Sequence, residues 1–118
     1  SNQFDSRLPE LPSGLWSFIG TNNHFRGDIP KSYENLVYLH LSHNHIEGQF
    51  NASLIGAFTM EIYLTDNEMG GELPDNLCSW IEQYGGVFKG AKNEWSCPLP
   101  FCCLSESDDI DCGTGVGC

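Results

Sequence analysis

An asparagine recurs along this 118-residue chain in a fixed frame of apolar residues and glycine. Its copies lie 21, 21, 23 and 26 residues apart, at Asn2, Asn23, Asn44, Asn67 and Asn93. The clearest copy is NLVYLHLSHNHIEGQF, in which Leu39 and Leu41 precede Asn44 and Gly48 follows it. Repeats of this length form solenoids, because one copy cannot bury its apolar face alone and stacked copies can.

Each copy predicts a short strand, a turn and an extended return segment. In YLHL, alternate leucines face a shared core, while the residues between them face the solvent. The side-chain amide of the asparagine is expected to bind backbone groups of the turn and to form a ladder through the stack. Glycines at 27, 48 and 71 are expected to provide a bend or a close backbone approach.

The full pattern, L-x-x-L-x-L-x-x-N-x-L-x-G-x-(L/I)-P, resembles the plant-type subclass of the leucine-rich repeat family. Residues 1–103 carry the resemblance, and the stretch from about residue 75 resembles the cysteine-containing C-terminal cap of such arrays. The resemblance implies an α/β solenoid: a short curved stack with a parallel, concave β-sheet and a mostly irregular convex side. Gly20 replaces a core leucine and Asn51 replaces the proline after Phe50. Residues 104–118 form an acidic tail rich in cysteine and glycine, which we expect to be irregular and tethered by cysteines or partly disordered.

The charge balance excludes some partners. Sixteen acidic residues against five basic ones give a net charge of −11, whereas a nucleic-acid or anionic-membrane surface needs a basic footprint. No apolar run reaches the roughly 20 residues of a membrane span. No motif in the sequence calls for a cofactor.

All six cysteines lie in the last 41 residues. An even number in a small acidic chain favours disulfides and an oxidising, extracellular compartment over zinc, whose paired C-x2-C spacing is missing. Short spans favour Cys97 with Cys102, Cys112 with Cys118, and Cys103 with the tail or with the remaining cysteine, Cys78. Six cysteines nevertheless allow fifteen connectivities.

The frame also predicts which side chains form the binding surface. Residues between the core positions of successive strands should form rows across the concave sheet, and tyrosine is a common interface anchor. The predicted binding residues are Ile19, Tyr38, His40, His43, Glu61, Tyr63, Asp66, Lys89 and Lys92.

Other chemistries fit the sequence less well. His40, His43 and His45 lack the fixed spacing of a zinc site, and the acidic tail lacks the alternation of a calcium loop. A nucleophile elbow, G-x-S-x-G, is missing, so we predict that the chain is not an enzyme. Asn51 begins NAS, the one N-glycosylation acceptor sequence in the chain, on a connecting segment where exposure is expected.

Two functional hypotheses follow. The first is an extracellular module that binds a protein or peptide, as part of a receptor ectodomain or a secreted inhibitor. The second is a structural subunit of an extracellular wall or filament assembly, whose further copies stack on an uncovered edge near Phe4 and Leu8.

Overall fold

The computed structural model describes residues 6–105 and 107–113. Asn2, Phe4 and Cys118, which the repeat and cysteine predictions include, lie outside these residues. One strand from each coil joins a five-stranded parallel sheet, in the order β1-β3-β5-β7-β9. Its strands are β1 (Ser17–Ile19), β3 (Tyr38–His40), β5 (Glu61–Tyr63), β7 (Val87–Lys89) and β9 (Ile110–Asp111). The predicted parallel solenoid sheet is confirmed.

Two smaller parallel sheets follow the asparagine turns and were not predicted. β2 (Arg26–Gly27) pairs with β4 (His45–Ile46), and β6 (Gly70–Gly71) pairs with β8 (Glu94–Trp95). The return segments are mostly irregular, with short 3-10 helices at Lys31–Tyr33, Ala52–Leu54 and Phe101–Leu104 and one α-helix, α1 (Asn76–Tyr84). The convex side therefore has the predicted irregular character apart from α1.

The asparagine ladder is confirmed atom by atom. Asn44 Nδ2 donates to the carbonyl oxygens of Gly20 and Leu41, both at 2.9 Å, while Asn44 Oδ1 accepts the backbone N–H of Phe25 at 3.1 Å. Asn67 and Asn93 repeat this arrangement one and two coils further on. Each amide therefore binds its own turn and the preceding coil.

Left-handed backbone conformations recur at two positions of the frame. The glycines of the frame, Gly27, Gly48 and Gly71, have φ values of 84°, 83° and 79°, which explains why glycine recurs there. The residue directly before each asparagine is left-handed as well, although it is never glycine: Asn22, His43, Asp66 and Lys92 have φ values from 59° to 62°. This second requirement was not predicted.

Gly20 occupies its core position because a large neighbour fills the space. A Cβ at Gly20 would lie 2.8 Å from Cε2 of Phe18, and the Phe18 ring packs edge-on against Tyr33 with centroids 5.2 Å apart. The fourth strand repeats the exchange, since the buried ring of Phe88 fills the space beside Gly90. The first coil differs in one further respect: Leu15, a core position of the frame, is 41% exposed.

The tail joins the sheet, which corrects the prediction that it is irregular throughout. Ile110 and Asp111 form β9, which pairs with β7, and both Ile110 and Cys112 are buried in the core. The tether is the Cys103–Cys112 disulfide, across a separation of 9 residues. Two residues with one inward isoleucine give too short a pattern to indicate a strand.

The disulfides follow a pairing that was only partly predicted. Cys78 on α1 bonds to Cys102, so the predicted Cys97–Cys102 pair is wrong; because Cys112 bonds to Cys103, the predicted Cys112–Cys118 pair is wrong as well. The link between Cys103 and the tail is confirmed. Cys97 is also disulfide-bonded, and no cysteine is free among the described residues. The Cys97–Cys102 prediction relied on closeness in sequence, whereas the solenoid brings residues one coil apart into contact, as it does Cys78 and Cys102.

Candidate binding surface

The register of the sheet aligns two of the predicted rows of side chains, whereas His43, Asp66 and Lys92 lie in the turns after the strands. One row contains Ile19, His40, Tyr63 and Lys89, and Asp111 extends it on β9. A second row contains Ser17, Tyr38, Glu61 and Val87. Neighbouring strands lie about 4.8 Å apart, so the side chains of each row are in reach of one another.

A chain of aromatic rings runs across the sheet from the start of β1 through β3 to β5. Trp16 lies beside Tyr38 with centroids 6.1 Å apart, and Tyr38 lies beside His40 at 6.4 Å. His40 then stacks on Tyr63, with centroids 4.3 Å apart and an interplanar angle of 10°. We call Trp16, Tyr38, His40 and Tyr63 the aromatic strip.

Two members of this surface were missed by the sequence analysis. Trp16, which is 61% exposed, directly precedes β1, and Met60, which is 51% exposed, directly precedes β5. Met60 contacts the strip because its Sδ lies 3.7 Å from the Tyr38 hydroxyl. Both residues occupy the same position of the frame, seven before the asparagine, where the rows were not extended. Searching that position of the frame for aromatic residues would have identified Trp16.

The three histidines each bind a different carboxylate of the next coil. His40 Nε2 lies 2.8 Å from Glu61 Oε1, His43 Nδ1 lies 2.9 Å from Asp66 Oδ2, and His45 Nδ1 lies 2.9 Å from Glu68 Oε2. Across the described ranges no group of three such ligands is placed to hold a metal ion. The histidines therefore serve as links between the second and third coils.

The predicted cations lie at the C-terminal end of the sheet. The Lys89 ammonium donates to the backbone carbonyl of Asp108, so it points towards the tail. Lys92 is exposed in the left-handed turn before Asn93. Neither lysine is part of the aromatic strip.

Tyr63 lies beside His40 and the Glu61 carboxylate. Burial, and secondarily the Glu61 carboxylate, raise the pKa of its hydroxyl above the ordinary value. Its ring is half-buried against His40. Stacking on His40 restricts the Tyr63 ring, which lowers the entropic cost of using it as a contact residue.

The glycosylation sequence lies away from this sheet. Asn51, Ala52 and Ser53 are exposed at the start of a 3-10 turn between β4 and β5. The Asn51 side chain makes no capping hydrogen bond, whereas Ser53 Oγ donates to Glu34 Oε2 at 2.7 Å. The acceptor amide is accessible.

Comparison with known proteins agrees with the geometry. Residues 35–57, which contain β3 and its asparagine turn, match the family model described as Leucine Rich Repeat. These residues are similar to one repeat of that family, and the five-stranded parallel sheet has the architecture of a short leucine-rich repeat solenoid. A 38-residue stretch, 32% of the chain, is 45% identical to Receptor-like protein 48 of Arabidopsis thaliana. That stretch covers 5% of the relative. No solved structure matches the solenoid.

The Cys78–Cys102 and Cys103–Cys112 disulfides are typical of proteins from an oxidising, extracellular or cell-surface environment. In the part of the solenoid that the structure describes, no helix has the length and apolar character needed to cross a membrane.

Proposed function

We propose that this solenoid is a recognition module that binds a protein or peptide through its concave sheet, as part of an extracellular receptor or a secreted inhibitor. The observation that carries the proposal is the aromatic strip, in which four ring side chains lie in continuous contact across three strands. Aromatic residues on a rigid scaffold bury much area at little entropic cost, and they dominate the energy of typical interfaces.

Recognition fits the geometry better than catalysis does. The strip lies on an open sheet face, and the polar side chains around it, in the pairs His40–Glu61 and His43–Asp66, bind one another between coils instead of converging on one point. The similarity to a receptor-like protein supports the same function.

Tyr63→Ala tests this function. The secreted, disulfide-bonded solenoid is immobilised, and the proteins and peptides that it retains from the extracellular fluid of its source are compared with those retained by the variant. We expect Tyr63→Ala to reduce capture of the specific partner about tenfold or more, in line with truncation of an anchor residue, which typically costs about 2 kcal/mol. A melting curve shows whether the variant remains folded.

Tyr84→Ala is the matched control. Tyr84 ends α1, is 74% exposed and lies outside the sheet, so its loss should leave capture unchanged. Equal capture by the wild type and Tyr63→Ala would rule out the concave sheet as the contact surface.

One observation favours the structural alternative. β1 is the outer strand of the described sheet, and the buried Oδ1 of Asn23 has no hydrogen-bond partner there, unlike the equivalent atoms of the other ladder asparagines. Leu8, which the assembly hypothesis placed on an exposed edge, is itself buried, so the relevant exposed side chain is Ile19. Assembly would appear as concentration-dependent association in analytical ultracentrifugation that Ile19→Lys abolishes.

A further inference from the structure

A carboxylate lies among the rings of the aromatic strip. Glu61 faces the solvent on β5, and its neighbours in register are Tyr38 on one side and Val87 on the other. Tyr63 is the next outward residue on the same strand, and the Glu61 charge contributes to the raised pKa of its hydroxyl. Glu61 therefore has uncharged, largely apolar neighbours along its row.

The carboxylate is held in place but keeps an accepting oxygen. His40 Nε2 lies 2.8 Å from Glu61 Oε1, and because a carboxylate only accepts, this nitrogen must carry a proton. The side chains of His40 and Glu61 are 21% and 31% exposed, so the pair is partly withdrawn from water. Within the described ranges no lysine or arginine pairs with Glu61, and its other oxygen, Oε2, has no hydrogen-bond partner.

The charges near this site are mostly negative. Among the outward residues of β1, β3 and β5 and the turns that follow them, the acidic residues are Glu61, Asp66 and Glu68, and no lysine or arginine occurs. Lys89 neighbours Tyr63, but its ammonium donates to the Asp108 carbonyl and lies one row away from Glu61. The net charge of −11 adds a long-range attraction for cations.

We propose that Glu61 and the surrounding rings form a recognition site for a cationic side chain, a guanidinium or ammonium group, on an extended peptide partner. A carboxylate supplies a charge-assisted hydrogen bond, and the faces of tyrosine rings attract the same cation. Apolar side chains next to the cation would lie on Trp16, Tyr38 and Met60. This inference rests on the proposed function and adds the chemical class of the partner.

The test uses random seven-residue peptides displayed on phage and selected against the purified, disulfide-bonded solenoid. We expect the selected peptides to contain arginine or lysine beside an aromatic or branched aliphatic residue. For the tightest peptide, calorimetry compares the arginine form with a form carrying citrulline, which has the same shape and no charge. The neutral peptide should bind about tenfold more weakly or worse.

Glu61→Gln identifies the site. The variant should lose about as much affinity for the arginine peptide as the citrulline peptide loses with the wild type, and the two changes together should cost no more than either one alone. Glu68→Gln is the matched control, since Glu68 also binds a histidine but lies in the turn after β5. Its affinity should stay within twofold of the wild type.

The outcomes separate this inference from the function on which it rests. Peptides without a cation that still depend on Tyr63 would contradict the cation site and leave the concave binding surface intact. Peptides that bind equally well to Tyr63→Ala and Trp16→Ala variants would contradict both. A selection that enriches no peptide above an empty support would also overturn the cation site, because the library contains the proposed sequences.

Discussion

At the scale of single residues, the ladder asparagines explain why a polar side chain recurs in the core. The Asn44 amide makes two donated and one accepted hydrogen bond of 2.9–3.1 Å, and the residue is 6% exposed. Aspartate cannot donate these bonds and alanine can make none of them. A serine or threonine hydroxyl has one hydrogen to donate, whereas the asparagine amide has two and an acceptor oxygen as well, which accounts for its recurrence at Asn44, Asn67 and Asn93.

Asn44→Ala should therefore lower the free energy of unfolding by roughly 1–3 kcal/mol, because the carbonyls of Gly20 and Leu41 and the N–H of Phe25 remain buried without a partner. Chemical denaturation monitored by circular dichroism measures the change. Asn51→Ala makes the same substitution at an exposed site without a capping bond, and should stay within about 0.5 kcal/mol. Equal stability of the two variants would contradict the structural role of the ladder.

The sequence predicted the residues whose type is fixed by a requirement of the backbone or the core. Glycine at φ near +80° and asparagine in the ladder recur because few alternatives fit. The left-handed position before each asparagine was missed, since asparagine, histidine, aspartate and lysine all occupy it. The pairs between His40 and Glu61 and between His43 and Asp66 were missed for another reason: they depend on rotamers as well as register.

At the scale of the strand, a larger side chain at one inward position is matched by a smaller one at the next inward position, so the volume of the core is kept. The inward residue of β3 is Leu39, followed two residues later by Leu41, and β5 has Ile62 and Leu64 at the same positions. In β1 and β7 the inward residue is phenylalanine, and glycine follows two residues later. The interior is close-packed, so the larger ring requires the missing side chain. Strands with different residues can thus stack in one register.

A swap in β1 tests this exchange. Gly20→Leu alone should lower the free energy of unfolding by about 1–3 kcal/mol through overpacking against Phe18 and Phe25. Phe18→Leu alone should cost about 1 kcal/mol or more through the cavity it leaves beside Tyr33. The double variant reproduces the pattern of Leu39 and Leu41, and we expect it to be more stable than Gly20→Leu.

The quantity to measure is the coupling energy from denaturation of the wild type, both single variants and the double variant. A favourable coupling of about 1 kcal/mol or more supports the exchange. Strictly additive effects would show that Phe18 and Gly20 do not share one space.

Strands could be predicted from the sequence only where the alternating pattern of apolar residues was long or was repeated. The sheet of β1, β3, β5 and β7 was predicted because four copies repeat the same alternation. β9 and the paired strands β2, β4, β6 and β8 have two residues each, too few to show any period. Their positions are set by the register of the larger sheet, which becomes known only after the coils stack.

At the scale of the whole molecule, the solenoid separates its surfaces. The aromatic strip occupies the sheet, whereas Asn51 lies in the exposed connecting segment between β4 and β5. A glycan on Asn51 would therefore raise solubility without contacting the rows of the sheet. The glycosylation site and the binding surface both stay predictions.

Chain secreted by a eukaryotic host should carry an N-glycan at Asn51. The intact mass should fall on treatment with an N-glycan amidase and should match the unmodified mass in Asn51→Gln. Ser53→Ala removes the same acceptor sequence while leaving the asparagine, so its mass should also be that of a chain without a glycan. An unmodified mass for the wild-type chain from that host would overturn this prediction.

The place of β9 in the sheet depends on the oxidised state of the Cys103–Cys112 disulfide. β9 adds only two residues to β7, and the bond beside it holds the segment against Phe88 through Ile110. In a compartment that keeps thiols reduced, β9 would lose this tether and β7 would become an open edge, the kind of surface that recruits strands from other molecules. Correct folding and resistance to aggregation would thus depend on an oxidising compartment, before any partner is met.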